Sequence, residues 1–404
     1  MQDERGGFEG QLCPTAARFQ ALDGLRGICA LLVVLFHAPV SGAVYESSFF
    51  RHGFLFVDFF FVLSGFVIAH AFHDNLRDKR NGFDFLRGRL FRVYPLHLFM
   101  LALFVGFELF LLLTRGPGEA FQGGNGTVAL VHNLLMTHCF GVLDTLGWNY
   151  PSWSISAELL AYGLFALVVV TVPRALLPIM VLCIVAGIVV IGAAEGTIDT
   201  TVGYGWLRCL MGFSLGVIVR LVLWPRTEQA VPADQGLVWT LTELAAVAMV
   251  AVFVTALGGT ILSLAGPFVF AFALYIFAHE GGLVSRLLRS KPAIYLGLVS
   301  YSVYLTHAFV ISRVENVATV VAGRTGWAIF STGVDGKRLL GATEGQALLA
   351  LGLIVLGTLV FSALTWRFVE RPGMALGRRL RERQARTARV ERTLAGGARL
   401  SAAD

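Results

Sequence analysis

Runs of about twenty apolar residues, separated by short polar connections, repeat along nearly the whole chain. Ten can be marked, at 24–44, 54–73, 92–114, 153–172, 175–194, 203–223, 238–257, 259–279, 293–313 and 345–368. Each is long enough to cross a hydrocarbon core, because about 20 helical residues rising 1.5 Å apiece cover about 30 Å. The pattern predicts an all-α integral membrane protein, a polytopic bundle of about ten transmembrane helices. The stretch 127–140 is shorter and carries His132, Asn133 and His138, so it predicts an interfacial or re-entrant helix.

Composition agrees with the pattern. Of 404 residues, 56% are hydrophobic and 14% charged, where soluble domains carry about 25% charged residues. Cys13, Cys29, Cys139, Cys183 and Cys209 are scattered, mostly within apolar runs, with neither metal-ligand spacing nor a disulfide pattern. They read as small packing residues. No nucleotide-binding glycine loop and no metal-ligand cluster stands out, so no metal is expected. The first run is too long for a secretory signal, holds His37 and is followed by nine more runs.

The basic residues set an orientation. The linker after the second run carries Arg77, Lys79, Arg80, Arg87, Arg89 and Arg92. Arg174, Arg220, Arg226, Arg286, Arg289 and Lys291 fall on the same side, as does the tail with Arg386, Arg389, Arg392 and Arg399. The opposite connection 195–202 holds Glu195 and Asp199 and no basic residue. Both termini are therefore expected in the cytoplasm, with a cytoplasmic segment 1–20, a transmembrane domain 21–372 and a basic tail 373–404 drawn to anionic lipid. The loop 314–344 departs from the rule with Arg324, Lys337 and Arg338.

Against this background the polar exceptions matter, because a titratable group inside a membrane span is costly and is by default a functional candidate. Arg26 and His37 stand eleven residues apart on the first run. On a helix, eleven steps return to within about 20° of the same face, about 16 Å further along. Depth counting along each run puts His37, Asp58, Glu158, Tyr162, Arg208 and His307 in one layer, about 5 to 15 Å thick, in the outer half. At the other end, Arg87, Arg89 and Arg92 stand where 85–95 enters the third span, level with Arg26. Arginine forks suit phosphate. A basic mouth below and an acid–base layer above imply a long ligand with an anionic head and a reactive end.

Six segments resemble the acyltransferase-3 family of integral membrane acyltransferases. They are Leu22-Asp-Gly-Leu-Arg-Gly27 leading to Phe36-His37, Val57-Asp-Phe-Phe-Phe-Val-Leu-Ser-Gly65, Phe85-Leu-Arg-Gly-Arg-Leu-Phe-Arg-Val-Tyr-Pro95, Pro151-Ser-Trp-Ser-Ile-Ser-Ala-Glu158, Ser300-Tyr-Ser-Val-Tyr-Leu-Thr-His307 and Phe368-Val-Glu-Arg-Pro372. The resemblance covers roughly residues 20 to 373, with Phe56 and Thr306 departing from the family pattern. It implies a stand-alone O-acyltransferase of the bacterial inner membrane. Acetyl-CoA or another acyl-CoA would be the co-substrate, with no permanently bound cofactor. The acceptor would be a hydroxyl-bearing molecule, foremost an exported or cell-surface carbohydrate, with a macrolide or lipid as the alternative. The lipid bilayer is the expected partner, and nucleic acid is not.

On that reading His37 is the general base, and either Asp58 or Glu158 orients it. Arg26, Arg87, Arg89 and Arg92 hold the phosphates of coenzyme A, and Ser64 lines the pantetheine path. Tyr162, Arg208 and His307 shape the acceptor pocket. Direct transfer and a covalent acyl-histidine relay both remain open. A secondary transporter and an acyl flippase are the non-enzyme readings, although no internal repeat of the kind carriers show is evident.

Overall fold

A computed structural model describes residues 19–76, 79–116, 118–224 and 236–383. The segment 1–18 with Cys13, the positions of Arg77 and Arg226, and the tail from 384 with Arg386, Arg389, Arg392 and Arg399 lie outside the described residues.

Among the described residues, ten helical segments are long and apolar enough to cross a membrane. Their α-helical parts are α1 (Gln20–His37), α2 (Phe56–Phe72), α3 (Lys79–Arg115), α4 (Trp153–Thr171), α5 (Leu176–Glu195), α6 (Gly205–Ile218), α7 (Gly236–Leu257), α8 (Gly266–Ala278), α9 (Lys291–Thr325) and α10 (Glu344–Thr365), and 3₁₀ or π turns lengthen several of them, as in Ile261–Ala278 and Gly205–Leu223. The expected all-α polytopic bundle is therefore present. Exposed leucines and valines on α5, α7 and α10, such as Leu182, Val189, Leu237, Leu244, Leu348 and Leu356, form an apolar outer surface suited to lipid. The segment 127–140 yields a helix only at Thr127–Leu134, too short to cross.

Two boundaries differ from the sequence expectation. The first span stops at His37 and does not run on to residue 44. Pro39 explains this: its ring drives Ala38 out of the helical region, to φ −71° and ψ 113°. The chain then pairs Val40 with Leu340, and Leu340 donates to the Pro39 carbonyl at 2.7 Å. His37 is thus the last residue of its helix instead of lying deep within it. The loop expected from 314 is in fact helical to Thr325, where Gly326 takes the left-handed conformation that ends α9. A two-stranded hairpin follows, pairing β1 (Phe330–Thr332) with β2 (Arg338–Leu340). Helical turns after α10 continue through residue 383.

Two glycine seams fix the centre of the bundle. Gly27 and Gly297 let α1 and α9 touch backbone to backbone, and a Cβ at Gly297 would collide with the Asp23 carbonyl, while Gly24 lies against the Leu288 carbonyl just before α9. Gly65 and Gly216 do the same for α2 and α6, where added carbons would strike the Phe213 and Val62 carbonyls. The Gly212-Phe-Ser-Leu-Gly216 pattern is thus a helix-packing device, as its spacing predicts. The four described cysteines, Cys29, Cys139, Cys183 and Cys209, are free thiols.

Candidate active site

Between α1, α2, α3, α4 and α9 lies an open cleft, lined by residues of all five helices. Its basic end is built from three helices. Arg26 of α1 donates through Nε to Ser300 Oγ (3.0 Å) and through Nη2 to the Gly297 carbonyl (2.9 Å). Arg89 and Arg92 come from α3; three residues apart, they share one face. Arg92 pairs with the buried carboxylate of Glu370 and lies over the Tyr301 ring at 5.4 Å. Ser302 Oγ also donates to Glu370, at 2.6 Å. Arg89, 4% exposed, sits against the rings of Phe72 and Phe85.

Arg87 is the departure. Two residues from Arg89, it points about 200° away around the helix. It pairs with Asp84 at 3.1 Å and does not line the cleft. The arginines that converge are Arg26, Arg89 and Arg92.

The middle of the cleft is polar on one side. Ser64 Oγ and the Tyr162 hydroxyl lie 2.9 Å apart, and Glu158, one turn before Tyr162, lines the same wall. Tyr162 thus belongs with the residues expected for the donor, not with an acceptor pocket of Arg208 and His307. At the far end stand Ser154, Phe60 and Tyr304. The Tyr304 hydroxyl is held by Ser154 Oγ (2.7 Å) and the Pro151 carbonyl (3.0 Å).

Beyond Tyr304 lies a group of rings. His37 and His307 face each other with centroids 4.9 Å apart and planes inclined by 34°. Tyr150 is 5.1 Å from His37, and Tyr304 is 5.9 Å from His307. His37 Nδ1 is 2.9 Å from the Val33 carbonyl, one turn back on α1. A carbonyl can only accept, so the proton of the neutral ring sits on Nδ1 and Nε2 carries the lone pair. A main-chain carbonyl orients this histidine where a carboxylate was expected.

Neither carboxylate candidate stands in that role. Asp58 receives Nε and Nη2 of Arg208 at 2.9 and 2.8 Å, one bond on each carboxylate oxygen. Arg208 further donates to the carbonyls of Phe54 (2.9 Å) and Thr200 (3.4 Å), and its plane faces the rings of Phe54 and Trp153. The pair is 1% and 0% exposed and closes α2 onto α6. Arg208 is therefore the counter-ion of Asp58 and not a wall of an acceptor pocket. Glu158 belongs to the cleft.

The turn entering α4 ties these parts together. Pro151 starts it, and the serines that follow answer loop groups that would otherwise be buried unpaired. Ser152 bonds His138 Nε2 at 3.0 Å, and Ser156 bonds the Met136 carbonyl. Asn149 donates to the Leu305 carbonyl of α9 at 2.9 Å, next to His307. His138, whose Nδ1 faces the His132 carbonyl, is pushed down to about 4 by burial, with His97 nearby adding to the effect. Tyr150 and Tyr304 were not singled out from sequence. Tyr304 stands one turn before His307 in the same motif, and that spacing already placed it on the histidine's face.

Among the described residues, no group of three or more His, Cys, Asp and Glu side chains is arranged to hold a metal ion. The site offers cations at one end, an imidazole nitrogen with a free lone pair beyond the other, and between them a passage that is polar on one side.

Comparison with known proteins gives a family match to the acyltransferase domain over residues 19–368. The chain is 29% identical to the acyltransferase MdmB of Streptomyces mycarofaciens over 405 residues, covering 91% of this chain and 94% of that protein. It is 35% identical to protein 2 in the picA locus of Rhizobium radiobacter over 163 residues, which is 37% of this chain and 81% of that protein. It is 27% identical to the O-acetyltransferase OatA of Staphylococcus aureus over 312 residues, 71% of this chain and 49% of OatA. No solved structure matches the chain.

Proposed function

The chain belongs to the acyltransferase-3 family of multi-pass bacterial membrane acyltransferases, and from that premise we propose that it moves an acetyl group from acetyl-CoA to a hydroxyl of an exported or cell-surface carbohydrate. The observation that carries the reading is the His37 tautomer: Nδ1 is committed to Val33, which leaves Nε2 as a base beside the far end of the cleft. The O-acetyltransferase name of OatA supports acetyl as the group and a hydroxyl as its acceptor.

In this proposal the arginine end faces the cytoplasm, where basic residues concentrate. Arg26, Arg89 and Arg92 bind the phosphates of coenzyme A by charge-assisted hydrogen bonds. The pantetheine arm runs past Ser64, Tyr162 and Glu158 toward Tyr304. The acceptor hydroxyl arrives from the opposite face. Its proton passes to His37 Nε2 while its oxygen bonds to the thioester carbonyl carbon. The carbon–sulfur bond then breaks, and the leaving thiolate takes the proton from the His37 imidazolium. The buried rings around His37 keep water from competing for the thioester.

Purified protein in lipid nanodiscs, given radiolabelled acetyl-CoA and membranes carrying the native acceptors, tests this. The expected result is label in a hydroxyl ester, lost by a factor of about 10² to 10⁴ in His37→Ala. Undiminished transfer in that variant would sink the base assignment. Arg89→Ala with Arg92→Ala is expected to weaken coenzyme A binding by at least tenfold in calorimetry, with unchanged assembly.

A further inference from the structure

His307 is fully buried, yet among the described residues neither of its ring nitrogens meets a hydrogen-bond partner. The carbonyls of Val303 and Tyr304, on the preceding turn, lie near the ring but outside hydrogen-bond geometry. A neutral imidazole always carries one N–H donor and one lone pair. Native interiors rarely leave such groups unanswered, and where they do, a ligand commonly completes them. His307 packs 5.9 Å in ring-to-ring distance from Tyr304, which lines the far end of the cleft, and 4.9 Å from His37. The helices that carry the two histidines, α1 and α9, touch backbone to backbone at Gly27 and Gly297.

We infer that His307 is a second catalytic imidazole, whose N–H donates a hydrogen bond to the thioester carbonyl oxygen as that oxygen becomes an oxyanion. The inference rests on the acyl-transfer reading above and assigns the role that reading left empty. The tetrahedral intermediate carries the attacking oxygen and the oxyanion on one carbon. Adjacent imidazoles with centroids 4.9 Å apart can both present a nitrogen to one carbon at their shared edge: His37 Nε2 takes the hydroxyl proton, and His307 N–H meets the charge that develops. His307 keeps its proton throughout. The carbon–sulfur bond breaks, and the thiolate recovers the proton from His37, so the balance of the reaction is unchanged. The sequence alone had assigned His307 to the acceptor pocket; the two roles differ in what happens when no acceptor is present.

The test compares His307→Gln, which keeps an N–H donor, with His307→Met, which fills similar space without one. Both are measured in nanodiscs for transfer to acceptor and for acetyl-CoA hydrolysis, in which water is the acceptor. The oxyanion is common to both reactions. His307→Met is therefore expected to lower kcat for both by about 10² to 10³, the range seen for loss of one oxyanion donor, with KM and coenzyme A binding unchanged. His307→Gln is expected to recover at least tenfold of that loss. Transfer lost with hydrolysis spared would return His307 to the acceptor pocket and overturn the inference. Equal activity of the Gln and Met variants, or a Met variant that no longer binds coenzyme A, would overturn it too. A native protein that neither transfers nor hydrolyses acetyl-CoA would overturn the function proposed above, and this inference with it. An active native protein matched by its Met variant would overturn the inference alone.

Discussion

Asp58–Arg208 and His37–His307 are both polar pairs joining different helices, yet the first is chemically complete and the second is not. Both oxygens of Asp58 are taken by Arg208, and two further guanidinium hydrogens go to the Phe54 and Thr200 carbonyls. Four of the five guanidinium donors are thus answered within the protein. In the histidine pair, His37 satisfies one nitrogen on Val33, and His307 satisfies neither among the described residues. Saturation therefore separates a strut from the proposed reaction centre more sharply than charge or depth does. On depth alone the four residues are equivalent.

The largest effect expected is on the strut. Arg208→Met strands a buried carboxylate, which costs about 3–5 kcal/mol and is expected to abolish recovery of monodisperse protein in fluorescence-detected size exclusion. Adding Asp58→Leu removes the stranded charge, and the double variant is expected to regain most of that recovery. Failure of the second change to rescue would mean that the pair does more than close α2 onto α6. The histidine pair inverts the pattern. His37→Ala is expected to leave the thermal midpoint within a few degrees of native while transfer disappears; a fall in midpoint comparable to that of Arg208→Met would erase the contrast.

A third perturbation leaves both pairs chemically intact and moves one of them. Gly297→Ala forces α1 from α9, and such overpacking costs about 1–3 kcal/mol. It is expected to lower turnover more than it lowers coenzyme A binding, because it changes the His37–His307 spacing. Arg26, which reaches Gly297 and Ser300 across the same seam, provides the binding readout.

The smallest effect concerns the loop behind the site. His138 is held neutral by burial, with its value lowered from 6.5 to about 4. The unfolded loop therefore binds more protons than the folded one between those limits. Its contribution to loop stability is full above about pH 6.5 and declines as pH falls toward 4. Hydrogen exchange at amides 136–149 is expected to quicken over that window in the native protein, and His138→Gln is expected to flatten the change. The Asp58–Arg208 strut, probed through amides of α2 and α6, is expected to stay protected across the same range.

The fold was largely legible in the chain, because helices that cross a membrane must be long and apolar and no other open structure satisfies their backbone. What misled was local. The apolar run through Val44 concealed the stop that Pro39 imposes at His37. Within the site, residue counting yields depth but not direction around the bundle axis. Asp58, Arg208, Glu158 and His37 were grouped by level, whereas the packing of α2 on α6 pairs the first two and the cleft takes the third. The split of Arg87 from Arg89 was readable, since neighbours two apart on a helix face opposite ways. Their adjacency in a motif obscured it.

The seam between α1 and α9 also bears on how such a protein can move. With Gly27 set against Gly297 and the Asp23 carbonyl beside it, neither helix can slide along the other without backbone running into backbone. The two helices behave mechanically as one beam, carrying Arg26 and His37 on one flange and Ser300 and His307 on the other. A rocking cycle of the kind that carriers use needs a seam that shears, and one that meets backbone to backbone resists shear. Tyr304, moored by its hydroxyl to Ser154 and the Pro151 carbonyl, adds a tie between α9 and the turn that enters α4.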